Sequence, residues 1–160
     1  MAVAVSLLGP FEVLVDERPV AGDLWARRDA ANLVKLLALR RDHRLHREQV
    51  MDLLWHEVDP ADAAPRLHKA AHYARKALGS PDAVVLRGEM VALLPGEAVD
   101  VDVEDFEKAA EEALAKGSSL AAAVVLDAYP GEPLPGDLYA EWADEPRERL
   151  AGLRAELVTA

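Results

Sequence analysis

The chain contains no cysteine. Disulfide frameworks, thiolate metal sites and cysteine nucleophiles are therefore excluded, and an intracellular, cytoplasmic setting is expected. Serine is scarce, and none stands in a GxSxG nucleophile elbow. The glycines form neither the Walker-type phosphate loop nor GxGxxG. No stretch approaches the ~18 consecutive apolar residues of a membrane span. The first residues, MAVAVSLLGPFEVLVD, carry no basic leader or evident cleavage site, so no signal peptide is expected. Aromatic residues are only 5% of the 160. Trp25 and Trp55 are expected to pack, and Trp142 and Tyr139 to anchor the last helix.

Metal and acid chemistry find little support. His43 and His46 form HxxH, and His68 and His72 lie one helical turn apart, but no third ligand or HExxH pattern accompanies either pair. Acid pairs such as Glu111-Glu112 fall on a charged helix face. The chain is read as a non-enzyme with no cofactor and no metal.

Apolar residues make up 51% and charged residues 29%, which is the composition of a folded globular chain. The formal net charge of -11 is unevenly spread. Residues 1–95 hold 13 Lys/Arg against 13 Asp/Glu and all five histidines, whereas residues 96–160 hold 5 against 16. Such asymmetry predicts two modules with different partners, at 1–96 and 97–160.

Val- and Leu-rich runs at 3–8 and 11–15, broken by Gly9-Pro10, predict a small β-meander with a short third run near Val20. Apolar spacing predicts helices over 27–41 and 47–55. A third helix is expected over about 62–78, with Leu67, Ala71, Ala74 and Leu78 as a buried seam and Gly79 as its stop. Asp59-Pro60 also resembles a helix start, but that would put Pro65 in the interior, so Asp62 is the expected cap. The runs AVVLRG and MVALL around Gly88-Glu89 predict a β-hairpin over 83–94. Acidic, alanine-rich helices follow at roughly 102–116 and 118–128. A Pro/Gly loop spans 129–136, and a last helix 137–157 holds Pro146 as a candidate break.

Three helices followed at once by a hairpin predict an α+β winged helix-turn-helix, with an N-terminal β-meander and the hairpin as wing. The third helix carries Arg66, His68, Lys69, His72, Tyr73 and Lys76 away from its apolar seam. An α-helix fits the major groove, where cations reach base edges and phosphates. Arg87, near the hairpin tip, is placed to touch a minor groove or the backbone. Further phosphate contacts are expected from Arg44, Arg47 and Arg75. The segment 26–47 adds Arg27, Arg28, Lys35, Arg40 and Arg41 to this basic supply. A second reading is a protein-interaction module, in which the winged helix and the acidic helices dock a partner rather than DNA.

The segments LLGPFEVLVDERPV, REQVMDLLW, RLHKAAHYARKALG, VDVDVEDFEKA and LPGDLYAEWADEPRERL occur in an order that resembles the Streptomyces antibiotic regulatory protein (SARP) family. Members join an OmpR/PhoB-type winged helix to a bacterial transcriptional activation domain of tetratricopeptide-like helices. The resemblance implies an activator that binds promoter direct repeats as two protomers, with the third helix in the major groove, and that contacts RNA polymerase. It places the His56 to Ala61 loop near polymerase. It also implies that the activation domain continues past this chain, with a downstream regulatory module. His46 stands where the family commonly has a Ser or Thr helix cap, a poorer choice by about 1 kcal/mol if nothing replaces it.

Overall fold

The computed structural model describes all 160 residues. It is a mixed α+β fold. In chain order the elements are β1 (Ala2–Ser6), β2 (Glu12–Val15), β3 (Arg18–Pro19), α1 (Arg28–Ala38), β4 (Arg44–His46), α2 (Arg47–Trp55) and α3 (Pro60–Leu78). Then come β5 (Val84–Arg87), β6 (Met90–Leu93), β7 (Ala98–Val101), α4 (Asp102–Lys116), α5 (Ser119–Ala128) and α6 (Glu141–Val158). One sheet has the order β3-β2-β1-β7 and the other β4-β6-β5. No helix is long and apolar enough to cross a membrane.

The chain forms two compact units. The first is Met1–Ala4 with Val13–Val99, and the second is Val5–Glu12 with Asp100–Ala160. Residues 5–12, read from the sequence as part of the first module, thus belong with the acidic helices.

In the first unit α1 packs on α3, and its apolar side is covered along the whole helix: Ala30, Leu33, Val34 and Leu37 are fully buried. The seam predicted on α3 is buried as expected, and Ala63, Ala70 and Ala77 widen it. Alanine on so much of this face lets the helix axes lie close, because there is no long side chain to hold them apart. Trp55 is buried, and its Nε1 donates to Asp29 Oδ1 at 3.3 Å. The hairpin pairs Val84 with Leu93 through Arg87 with Met90. Its two-residue turn begins with Gly88 at φ 60°, a backbone that favours glycine. Strand β4 adds a third member by pairing antiparallel with β6, and it was not anticipated.

Two expected helix ends are corrected. The cap of α3 is Asp59, not Asp62: its carboxylate accepts from Ala61 N at 3.2 Å, and Pro60 takes the first helical position. Pro65 consequently lies inside the helix. The Asp-Pro start outweighs the one hydrogen bond that Pro65 forfeits, and Pro65 is solvent-exposed, so its ring displaces no core atom. His46 does serve as the cap of α2. Its Nδ1 accepts from Glu48 N at 3.1 Å, while Gln49 Oε1 accepts from His46 N at 3.4 Å. An imidazole acceptor completes a reciprocal capping box here.

The second unit is a three-helix assembly of α4, α5 and α6, with Phe106, Leu150 and Leu157 in its core. Asp102 accepts from Leu7 N at 2.8 Å and Leu8 N at 2.9 Å, holding the 5–12 segment. The Pro/Gly loop closes on the same segment: Leu134 N donates to Leu7 O at 2.8 Å and Gly9 N to Glu132 O at 2.8 Å. A Cβ on Gly131 would collide with the Leu8 carbonyl, so only glycine fits there. Arg154 fastens the loop from α6, donating through Nη2 to Tyr129 O at 2.8 Å and Gly131 O at 2.9 Å. The last helix begins at Glu141 and runs unbroken through Pro146. Trp142 is buried as expected, but Tyr139 is 98% exposed and anchors nothing. It precedes the helix, on the loop, where the apolar spacing of α6 does not reach.

Candidate nucleic-acid interface

Helix α3 presents two unlike faces. Its alanine-rich side is sealed, and Arg66, His68, Lys69, His72 and Lys76 are exposed on the other. Arg66, Lys69 and Lys76 have no carboxylate partner. Their charge is therefore uncompensated by contact and available to an outside anion. Arg75 and Lys76 in the last turn also suit the negative end of the helix dipole.

Tyr73 is half-buried, and the covering group is Arg27. The guanidinium carbon lies 4.1 Å from the ring centroid, and Nη2 donates to the phenol oxygen at 3.0 Å. His72 meets Tyr73 edge-on, with ring centroids 5.1 Å apart. Arg27 is the residue immediately before α1, whose first turn has no side-chain cap. A groove of about 420 Å³ opens at this point, lined by Arg27, Arg28, Asp29, Arg66, Lys69 and Tyr73. Four cations thus face one carboxylate, and that carboxylate already accepts from Trp55.

The remaining candidates lie elsewhere. Arg87 ends β5 opposite Met90 and is exposed, but it borders a different hollow with Asp82 and Glu97. Arg75 donates from Nε to Val84 O at 2.7 Å, tying α3 to the hairpin. That bond gives Arg75 a structural duty which the sequence did not reveal. Arg44 is exposed on β4 and sits 3.3 Å from Asp42, a solvent-screened pair of little energetic consequence. Arg47 is half-buried, and its backbone N donates to Glu89 O at 2.7 Å, so the start of α2 is fixed to the hairpin turn. A second groove, of about 590 Å³, follows α2 into the start of α3 and includes Met51, Trp55, His56, Val58 and Pro60.

The structure therefore gathers Arg66, Lys69 and Tyr73 into one groove and leaves Arg87, Arg44 and Arg47 outside it. From the sequence, Arg27 and Arg28 are only members of a diffuse basic segment. Their one signal in the sequence is position: two arginines directly before the first apolar-periodic helix.

The arrangement of elements has a counterpart of known structure. It is the mixed α+β fold of a solved bacterial protein, Mycobacterium tuberculosis EmbR in complex with a low-affinity phosphopeptide. The likeness has a TM-score of 0.75 at 18% sequence identity, and covers 98% of this chain and 44% of that one. The chain thus spans less than half the length of EmbR. No family model matches the chain, and no curated protein matches it in sequence.

Proposed function

We propose that the chain is a sequence-specific, DNA-binding transcriptional regulator of the SARP type, and not an enzyme. In this reading residues 1–96, apart from the 5–12 segment, act as a winged helix, with α3 in the major groove and the β5-β6 hairpin as wing. Residues 97–160 begin a tetratricopeptide-like activation domain that contacts RNA polymerase. Two protomers bind promoter direct repeats in the cytoplasm, with a regulatory module as a further partner. The observation that carries the reading is the exposed, unpaired cationic face of α3, set on a sealed alanine seam. The fold likeness to EmbR and the five ordered sequence segments support it. Arg66, His68, Lys69, His72, Tyr73, Lys76 and Arg87 are the residues assigned to DNA, with Arg44 and Arg47 on phosphates.

Selection from a random duplex pool tests this. The wild-type chain is expected to enrich one motif. The double substitution Lys69→Ala, Lys76→Ala should weaken binding to that motif by roughly 10- to 100-fold at moderate salt, in line with ~1–3 kcal/mol for a lost base or phosphate contact. If no motif is enriched, and the double substitution changes binding to a protein partner instead, the docking reading replaces this one.

A further inference from the structure

We propose that the groove at the start of α1 is a phosphate seat: Arg27, Arg28, Arg66 and Lys69 grip one phosphodiester group of a bound duplex, and Tyr73 donates a hydrogen bond to it. The inference rests on the DNA reading above and adds a site to it. Three observations point to an anion. The groove is lined by four cations and one carboxylate. Asp29, that carboxylate, is already engaged by the Trp55 indole at 3.3 Å. Arg28, Arg66 and Lys69 have no ion-pair partner in the chain.

The chemistry of Tyr73 fits the same ligand. A phenol has one proton to donate, and its oxygen can accept. Arg27 donates to that oxygen at 3.0 Å, which occupies an acceptor site and leaves the phenolic O–H free to point at an anion. The guanidinium stacked at 4.1 Å over the ring also holds the phenol at the groove wall before any ligand arrives. The uncapped first turn of α1 borders the groove, so the positive end of the helix dipole reinforces the cations. Seated here, a phosphate would lie beside Arg66 and Lys69. It would therefore fix the register of α3 on the duplex without reading a base.

Charge and hydrogen bonding make separable predictions. Neutralising a phosphate by cations releases counterions, so losing the seat lowers the salt dependence, whereas losing a neutral donor does not. The test measures binding to a fixed duplex across a salt series for the wild type, Arg28→Ala, Tyr73→Phe and Arg18→Ala. Arg18, exposed on β3 and outside the groove, controls for the change in net charge. Arg28→Ala should weaken binding about tenfold on every duplex sequence and lower the log–log salt slope by about 1. Tyr73→Phe should weaken binding a few-fold with the slope unchanged, and Arg18→Ala should do neither.

A parallel titration with inorganic phosphate, followed by amide NMR, should shift Asp29 and Tyr73 in the wild type and leave them unmoved in Arg28→Ala. The same spectra report whether each variant is folded. A folded Arg28→Ala variant that binds duplex with the wild-type slope overturns the seat and leaves the DNA reading intact. A wild-type chain that binds no duplex overturns both. Groove shifts with a phosphopeptide, in a chain that ignores duplex DNA, assign the cations to a different partner and overturn the seat as stated.

Discussion

Among single residues, His46 is the most instructive. From the sequence it is a weak cap where serine or threonine would be stronger. In the fold its Nδ1 accepts from Glu48 N, which places the ring proton on Nε2, 3.8 Å from Glu89 Oε2. One ring thus closes the start of α2 and faces the hairpin turn. His46→Ala should destabilise the first unit by about 1 kcal/mol, the usual cost of a lost cap, read from the urea midpoint at constant slope. His46→Ser should restore most of that loss, since a hydroxyl can replace the acceptor. A full loss in the serine variant would show that the contact with the hairpin, not the cap, is what matters. Tyr73 teaches the complementary lesson. Its place on α3 could be counted from the buried seam, but its cover came from Arg27, 46 residues away in the chain. Helical periodicity says which way a side chain points and nothing about what lies over it.

Elements whose boundaries rest on local signals were legible. Helices α2 and α4 run over Arg47–Trp55 and Asp102–Lys116, as the apolar spacing of the first and the acidic, alanine-rich composition of the second predict. Gly79 ends α3 at φ 72°, the left-handed backbone expected of a C-terminal glycine. Strand β4 was hidden because Arg44–His46 is too short to show alternation, and only its partner β6 makes it a strand. The start of α3 differs from the sequence expectation because two proline rules conflict. Pro60 favours a first helical turn, while Pro65 opposes an interior position, and the capping signal prevailed. Pro65 is exposed, so replacing it by alanine restores an N–H without opening a cavity. Pro65→Ala should raise the stability of the first unit by roughly 1 kcal/mol or more, against the ~3 kcal/mol ascribed to an interior proline. Calorimetry would register this as a higher Tm. An unchanged or lower Tm would mean that the ring's restriction of the unfolded chain outweighs the lost hydrogen bond.

At the level of the whole molecule, charge separates the two units. Residues 1–95 balance 13 bases with 13 acids, and the excess of acids falls beyond them. Within the second unit the repulsion is sharpest near the start of α4. A hydrogen bond that its protonated carboxyl donates to the Asp100 side chain, burial and nearby carboxylates push Asp105 up to about 6, above the usual aspartate range. Burial raises Asp102 as well, against the backbone bonds from Leu7 and Leu8. A carboxyl raised in the folded state contributes stability below its unfolded pKa and loses that contribution as pH climbs through the folded one. The second unit should therefore become less stable between about pH 4 and 6. Asp105→Asn should flatten that slope and stabilise the unit at pH 7, by under ~1 kcal/mol after solvent screening. Thermal melts of both proteins across that range check it, and parallel curves would assign the slope to other groups.

The membership of residues 5–12 bears on how the polypeptide matures. Val5 and Leu7 are sealed from water, and the amides of Leu7 and Leu8 bond to a carboxylate 95 and 94 positions later. During synthesis this early stretch must wait, with its greasy side chains unsheltered, until the ribosome has delivered Asp102 and the helices beyond it. A gene fragment cut at residue 96 would release that stretch with nothing to receive it. Sticky, poorly behaved product is the expected yield of such a clone, while one that reaches the end of α6 supplies the missing berth.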